Sequence, residues 1–500
     1  MIDCLARKPA TLYLLLAAYF ALNAVLRLAS PASLELDEGQ QLYFAQWFSL
    51  GYGPQPPLYN WLQYATVQVF GNSVAALTLL KNALLFLSFA LFGLTAQSVL
   101  RNQALAVMAT LGLFTMPQIS YEAQRDLTHT VALLFAACLF LYALVRAIER
   151  PTLFNYGLTG LAIGLGMLSK YNFILLPAAA FLALASDRDL RSRLLDPRLL
   201  ATVAIAAVVF APHGWWLLGH MTEATDSTLG KMDGDVADVA GRLKGALSLI
   251  GAIAVISLPP LAVFLLAFGG GVRRAWPAQS RWTRLLGRIL IAAIVLLFLV
   301  VLSGAATQIK SRWLVALFFL LPLYLAAKVE ALGEPVSSGA LRRFAIPVIA
   351  VMVLVPLTLF GRPWLAAFGQ YGKQNVPYGP AIEEILKSRA DAPSLVLASD
   401  QQLAGNARLN AADIPALAPA NDGLDHAFTW SATRPILAIW RDRRGGKLEP
   451  ELDKTLKDWL AARGMSATMD VHSIARPYHY GKPGDVYHFS YAWIYPPAGL

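Results

Sequence analysis

The chain has 500 residues, of which 57% are hydrophobic and only 14% charged, and its mean hydropathy is +0.51. Soluble globular proteins are nearer a quarter charged, and apolar runs of about 20 residues recur along most of this chain, which excludes a wholly soluble protein and implies a polytopic α-helical membrane protein. The net charge of +10 sits largely in short loops between apolar runs, where it sets orientation in a bilayer rather than marking a nucleic-acid partner, and two cysteines, Cys4 and Cys138, make neither a disulfide framework nor a metal knuckle.

The first apolar run, 9–29, follows Arg7 and Lys8 and is long for a signal-peptide core, so it reads as a retained first span. Further spans are expected at 74–97, 102–117, 128–147, 154–168, 172–186, 199–218, 246–268, 287–304, 312–329 and 344–361, about eleven in all. Lys and Arg concentrate in alternate loops: Arg7 and Lys8, Arg101, Arg146 and Arg150, 188–198, 273–288, then Lys328, Arg342 and Arg343. The positive-inside rule makes these loops cytoplasmic, and an odd number of spans then puts the N-terminus inside and the C-terminus outside. Loops 30–73, 118–127, 169–171, 219–245 and 305–311 and the tail are expected on the outer face, toward the periplasm or cell exterior.

Beyond residue 362 the composition becomes that of a soluble domain. Segments 394–398 and 436–440 suit buried strands, 452–463 an amphipathic helix, and the alternating aromatic stretch 486–495 another strand. The expected division is a transmembrane domain, 1–361, and a small outer α/β domain, 362–500.

The first outer loop, 30–73, carries the strongest candidate chemistry. Asp37 and Glu38 precede an aromatic amphipathic segment, 40–50, suited to an interfacial helix. Gly51-Tyr52-Gly53-Pro54 ends it, Gln55-Pro56-Pro57-Leu58-Tyr59 follows as an extended turn, and a second interfacial helix is expected over 58–70. The acidic pair suits a helix N-cap and first-turn acid, and equally a carboxylate kept ionised by water beside lipid-borne substrates. The second outer loop sets Glu122, Arg125 and Asp126 at the mouth of a span, with His129 about one turn inside. Asp126 either caps that helix or belongs to a functional ionisable cluster. Lys170, in Ser169-Lys170-Tyr171-Asn172, is a snorkelling lysine or a phosphate contact. Gln308, Lys310 and Arg312 stand at an outer mouth against the positive-inside pattern, which a clamp on phosphate would explain. His213 and His220 flank belt aromatics, and Lys81 and Asn82 read as helix–helix contacts. No Walker loop, dinucleotide fingerprint, HExxH or GxSxG motif occurs in a suitable context.

The Asp-Glu pair after the first span, the amphipathic loop ending in QPPLY, the second-loop Asp opening a span, the basic QIKSRW and the outer domain together resemble glycosyltransferases of the GT-C fold, over roughly 9–330. The branch resembled is the bacterial part of glycosyltransferase family 39. It includes protein O-mannosyltransferase-like enzymes and the aminoarabinose and galacturonic acid transferases that modify lipid A or lipopolysaccharide core. The resemblance implies a polyprenyl-phosphate-linked monosaccharide as donor, a lipid or glycan acceptor, surrounding membrane lipids and no obligatory cofactor. It implies Asp37 as the base, Glu38 as its support and Asp126 as a second acidic partner. Lys170, Lys310, Arg312 and Arg125 would contact donor phosphate, and Gln55, Tyr59, Glu122 and His213 would contact substrate. A divalent cation held by Asp37 and Asp126 is compatible with this set, because two close carboxylates repel. Gln55 is a departure: aminoarabinose-type relatives often carry Lys before the Pro, so that subgroup's substrate choice is not implied. The expected activity is inverting transfer to lipid A, lipopolysaccharide core or another envelope glycan. The rivals are a transporter or flippase of lipid-linked sugars, a protein O-glycosyltransferase, and a non-catalytic scaffold.

Overall fold

The computed structural model describes residues 2–222, 224, 239–419, 428–442, 445–462, 465 and 468–496. The part of the 219–245 loop and the few C-terminal positions beyond these ranges lie outside the described residues. Among those described, seven helices are long and apolar enough to cross a bilayer: Pro9–Leu28, Val74–Val99, Thr128–Glu149, Leu199–Gly219, Ala240–Phe268, Arg281–Leu302 and Ser338–Phe368. Two bent pairs raise the number to nine if each is one span: Gln103–Thr115 with Gln118–Arg125, at 70°, and Ser311–Phe318 with Leu321–Ala331, at 42°. The protein is therefore a multi-pass membrane protein. The expected span over 102–117 corresponds to Gln103–Thr115 and ends at the bend, the second half of its pair occupying the expected outer loop, whereas the expected span over 312–329 is itself broken; a proline stands at each bend. Pro117 lacks the N–H a continuing helix needs, and Pro322 opens the second half of its pair. The expected short spans at 154–168 and 172–186 correspond to two shorter apolar helices, Leu153–Met167 and Tyr171–Ala185.

The chain divides into two compact units. One comprises Met1–Asn23, Ser49–Tyr59 and Lys81–Pro356, and the other Ala24–Phe48, Asn60–Leu80 and Leu357–Leu500. Most of the first outer loop therefore belongs with the C-terminal residues rather than with the membrane bundle, a grouping that hydropathy cannot reveal.

In the first unit Thr128–Glu149 is almost wholly buried, whereas Leu199–Gly219 turns most of its surface outward. Small residues let helices of this unit approach closely. A Cβ on Gly160 would lie 2.4 Å from the Thr202 carbonyl oxygen, and one on Gly164 would lie 2.6 Å from Val209 Cβ. At one end, Asp187 is buried against Arg288 at 2.7 Å and Arg284 at 3.7 Å, which joins two of the basic loops.

The second unit is built on a five-stranded sheet of order β2-β1-β3-β5-β4. Its strands are β1 (Leu395–Ala398), β2 (Ala416–Leu417), β3 (Ile436–Arg441), β4 (Thr468–Pro477) and β5 (Val486–Tyr495). β1 runs parallel to β2 and β3, while β5 lies antiparallel between β3 and β4. Alternation assigns the two faces. Leu395, Leu397, Ile436, Ala438, Trp440 and Ile494 form a core under Leu452 and Leu456 of the Pro450–Ala461 helix. Arg441, next to Trp440 and so on the opposite face, meets Tyr378 of the Tyr378–Lys387 helix and Gln402 of the Gln401–Asn410 helix.

Candidate active site

The acidic pair lies in the first turn of a nine-residue helix, Leu36–Phe44. Glu35 holds the N-cap position in extended backbone, and its N–H donates to Glu38 at 3.0 Å, a capping-box contact. Asp37 is therefore not the cap, and Glu38 acts as the third helical residue. Glu38 is also buried in an ion pair. Arg27 Nε donates to Oε1 at 3.0 Å and Nη2 to Oε2 at 2.8 Å, while the same guanidinium donates to the Pro31 and Ser33 carbonyls. Such a two-pronged, charge-assisted contact fixes both position and orientation. Asp37 is partly exposed in the first turn, a favourable place for an acid.

The helix does not run over 40–50 as expected; it stops at Ala45. Gln46 is drawn away, exchanging hydrogen bonds with the backbone of Ala416 at 2.8 and 2.9 Å, and Trp47 packs against the sheet core. The same helix is gripped by Gln401–Asn410. Gln402 donates to the Leu34 carbonyl at 2.7 Å, Leu34 N–H donates to Asn406 at 3.1 Å, and Gln40 bonds Gln401 at 2.8 Å. Two glycines allow the crossing: a Cβ on Gly405 would lie 2.0 Å from the Gly39 carbonyl oxygen, and one on Gly39 would lie 2.8 Å from Gln402 Cα. Arg441 donates to Gln402 at 3.0 Å and to the Tyr378 hydroxyl at 3.0 Å, and it pairs with Asp400. Arg27, Gly39, Gln402, Gly405 and Arg441 do not stand out in the sequence.

In the membrane unit three expected segments converge. Gln118 donates to Ser311 at 3.1 Å, which ties the second outer loop to the QIKSRW segment, and Asn172 donates to the Trp313 carbonyl at 3.0 Å, which ties SKYN to it as well. Glu122 closes a π-helical turn, Gln118–Glu122, a form frequent at functional sites. Arg125 is exposed and stands over the Tyr121 ring. Asp126 is buried just before the Thr128–Glu149 helix, but the N-cap position is Leu127, which adopts φ 60°. A left-handed backbone at leucine is strained, and such strain collects at functional sites. Lys170 donates to Thr130 at 2.8 Å, Lys310 is exposed and Arg312 is partly so. Gln55 is partly exposed and Tyr59 is buried near the His129 ring, and His129 hydrogen-bonds the Pro56 carbonyl. Lys81 and Asn82 contact Gln124 of the Gln118–Arg125 segment, at 3.4 and 3.0 Å. His213 is buried, with one ring nitrogen 2.9 Å from the Leu50 carbonyl and the other 3.0 Å from the Tyr171 hydroxyl. His220 bonds the Trp216 carbonyl in the same way. Among the described residues no group of three or more His, Cys, Asp or Glu side chains is placed to hold a metal ion.

Residues 54–216 match the family model described as dolichyl-phosphate-mannose-protein mannosyltransferase. The crystal structure of ArnT from Cupriavidus metallidurans in the apo state shares the fold, with a TM-score of 0.59 at 14% identity over 97% of this chain and 98% of that one. The lipopolysaccharide core galacturonosyltransferase RgtB of Rhizobium johnstonii is 44% identical over 498 residues, 98% of this chain and 99% of the relative. The chain is a GT-C membrane glycosyltransferase of that family. RgtA of the same organism, also a lipopolysaccharide core galacturonosyltransferase, is 40% identical over 99% of each chain. In this GT-C glycosyltransferase the family-model match includes Gln55, Tyr59, Glu122, Arg125, Asp126, Lys170 and His213, while Asp37, Glu38, Lys310 and Arg312 lie outside it. Both full-length galacturonosyltransferase matches extend over those four positions.

Proposed function

We propose that this glycosyltransferase moves a galacturonosyl group from a polyprenyl-phosphate donor to a sugar hydroxyl of lipopolysaccharide core, with inversion at the anomeric carbon. The observation that carries the reading is the full-length identity of 44% to a lipopolysaccharide core galacturonosyltransferase. A polyprenyl-phosphate donor is supported by the shared fold of ArnT, a structure of which, at a TM-score of 0.59, is bound to undecaprenyl phosphate. The family-model description favours a protein acceptor, but it spans only residues 54–216, so the glycan reading has the broader support.

In the proposed reaction the acceptor oxygen attacks C1 of the donor sugar from the face opposite the phosphate. The C1–O bond breaks with its electron pair going to the leaving polyprenyl phosphate, and Asp37 takes the acceptor proton. Glu38, through Arg27, positions the helix that carries Asp37. Lys170, Lys310, Arg312 and Arg125 offset the charge gathering on the departing phosphate. Asp126 is the second acidic group, and Gln55, Tyr59 and Glu122 shape substrate binding. Eleven spans, a cytoplasmic N-terminus and a periplasmic C-terminal unit in the inner membrane complete the proposal. The nine candidate spans plus two shorter apolar helices, and the union of two basic loops at Asp187, support it. The anomeric configuration of the purified product tests the stereochemistry by NMR: inversion is expected, and retention would sink the single displacement.

A further inference from the structure

The C-terminal unit contains two cavities to which the reaction above gives no role. The smaller, about 170 Å³, is lined by Glu35, Arg362, Gln370, Tyr371 and Asn375 and opens beside the N-cap of the Asp37 helix. The larger, about 730 Å³, is lined by Glu383, Glu384, Lys387, Arg476, Tyr478 and Tyr480. Its size is that of ligand pockets generally, about 300–1,000 Å³. The two share a wall: the Tyr371 ring borders one, the Tyr478 ring borders the other, and the rings stack with centroids 3.9 Å apart.

We propose that the larger cavity is a subsite for the oligosaccharide part of the acceptor, at a distance from the hydroxyl that attacks. This rests on the acceptor being a glycan, as read above. The charges in the cavity are balanced. Glu383 pairs with Lys387 and Glu384 with Arg476, so two acids meet two bases. The hydrogen bond and charge of Lys387 hold the Glu383 carboxyl below its usual range. A balanced set attracts neither a polyanion nor a polycation, but it offers acceptors and donors side by side, which is what hydroxyl groups require. Tyr478 and Tyr480 add ring surface for the C–H faces of sugars.

The walls are also fixed in place. His479 N–H donates to the Asn375 carbonyl at 2.9 Å, and Asn375 donates back to the His479 carbonyl at 3.0 Å and to that of Pro363 at 2.7 Å. Tyr371 donates to Asp485, and Tyr480 stacks on Trp364 at 4.2 Å. Tyr480 has φ 58°, a conformation that costs energy for an aromatic residue and recurs at ligand clamps. A chain of sugars can thus lie on fixed pockets that combine ring surface with charged hydrogen-bonding groups and lead away from the N-terminus of the Asp37 helix.

The test is equilibrium binding of lipid-free core oligosaccharide to the full-length protein in nanodiscs, by calorimetry. Saturable binding is expected. The Lys387→Ala/Arg476→Ala variant should weaken it about tenfold, the loss of one or two charge-assisted hydrogen bonds. Tyr480→Gly should also weaken it while keeping the fold, because glycine accepts the left-handed backbone. The acceptor KM should rise in step while the donor KM stays unchanged. No saturable binding, or equal binding by all three proteins, would overturn the subsite. Oligosaccharide that binds but receives no sugar would instead count against the acceptor assigned above and leave the subsite supported.

Discussion

Asp37 and Glu38 are neighbours with different roles. Glu38 is buried with Arg27 and holds the Glu35 N–H, so its charge is committed to structure. Replacing it by Gln strands the Arg27 charge, and a loss of about 3–5 kcal/mol is expected, read as a lower unfolding temperature. Asp37→Asn should lower that temperature far less than Glu38→Gln and lower kcat by about 10²–10⁴, the usual worth of a general base. The placement of the pair, directly after a span and before an amphipathic stretch, is legible in the sequence. Which residue is anchored is not, because the partner, Arg27, sits inside an apolar run eleven positions upstream. The partners of His213, the Leu50 carbonyl and the Tyr171 hydroxyl, are hidden in the sequence for a related reason: both lie far from it along the chain.

At the scale of elements, the decisive contact is the crossing of Leu36–Phe44 over Gln401–Asn410. Gly405→Ala would push a Cβ into the Gly39 carbonyl, and overpacking of this kind costs about 1–3 kcal/mol. The expected kinetic result is a lower kcat with an unchanged donor KM, since the helix carrying Asp37 shifts while the membrane unit does not change; an equal loss in both parameters would argue against this positioning role. The Asp400–Arg441 pair supports the same contact. Burial pushes the Asp400 carboxyl up, but Arg441 and the Leu403 N–H outweigh it and hold the carboxyl below its usual 3.8. A lowered folded value contributes stability that is complete above 3.8 and is lost as the pH falls through the folded value. The unfolding temperature should therefore fall on that acid limb, and Asp400→Asn should flatten the fall. The longer buried strands are readable from apolar runs and alternation. β2 is not, being two residues long, and neither is β4, an edge strand whose largely exposed side chains lack an apolar stripe. The broken span before Pro322 reads as continuous because hydropathy averages over the bend, and the helical turn beyond Pro117 reads as loop because it is short and charged.

For the whole molecule, membrane character and glycosyl transfer are legible from composition, loop charge and the order of weak motifs. The grouping of the first outer loop with the C-terminal sheet is not, since it depends on contacts between residues far apart in the chain, such as Leu34 with Asn406 and Gln402. Through that grouping the C-terminal unit holds the helix that bears Asp37. The central claim is that this chain breaks a lipid-phosphate–sugar bond and makes a new glycosidic one. The most direct measurement uses purified protein, a polyprenyl-phosphate galacturonic acid donor and a lipopolysaccharide core acceptor, with free polyprenyl phosphate and glycosylated acceptor followed together. Both should appear in equal amounts with the natural chain, and neither should appear with Asp37→Asn. Donor that stays intact and merely changes leaflet, or transfer undiminished in Asp37→Asn, would contradict the claim.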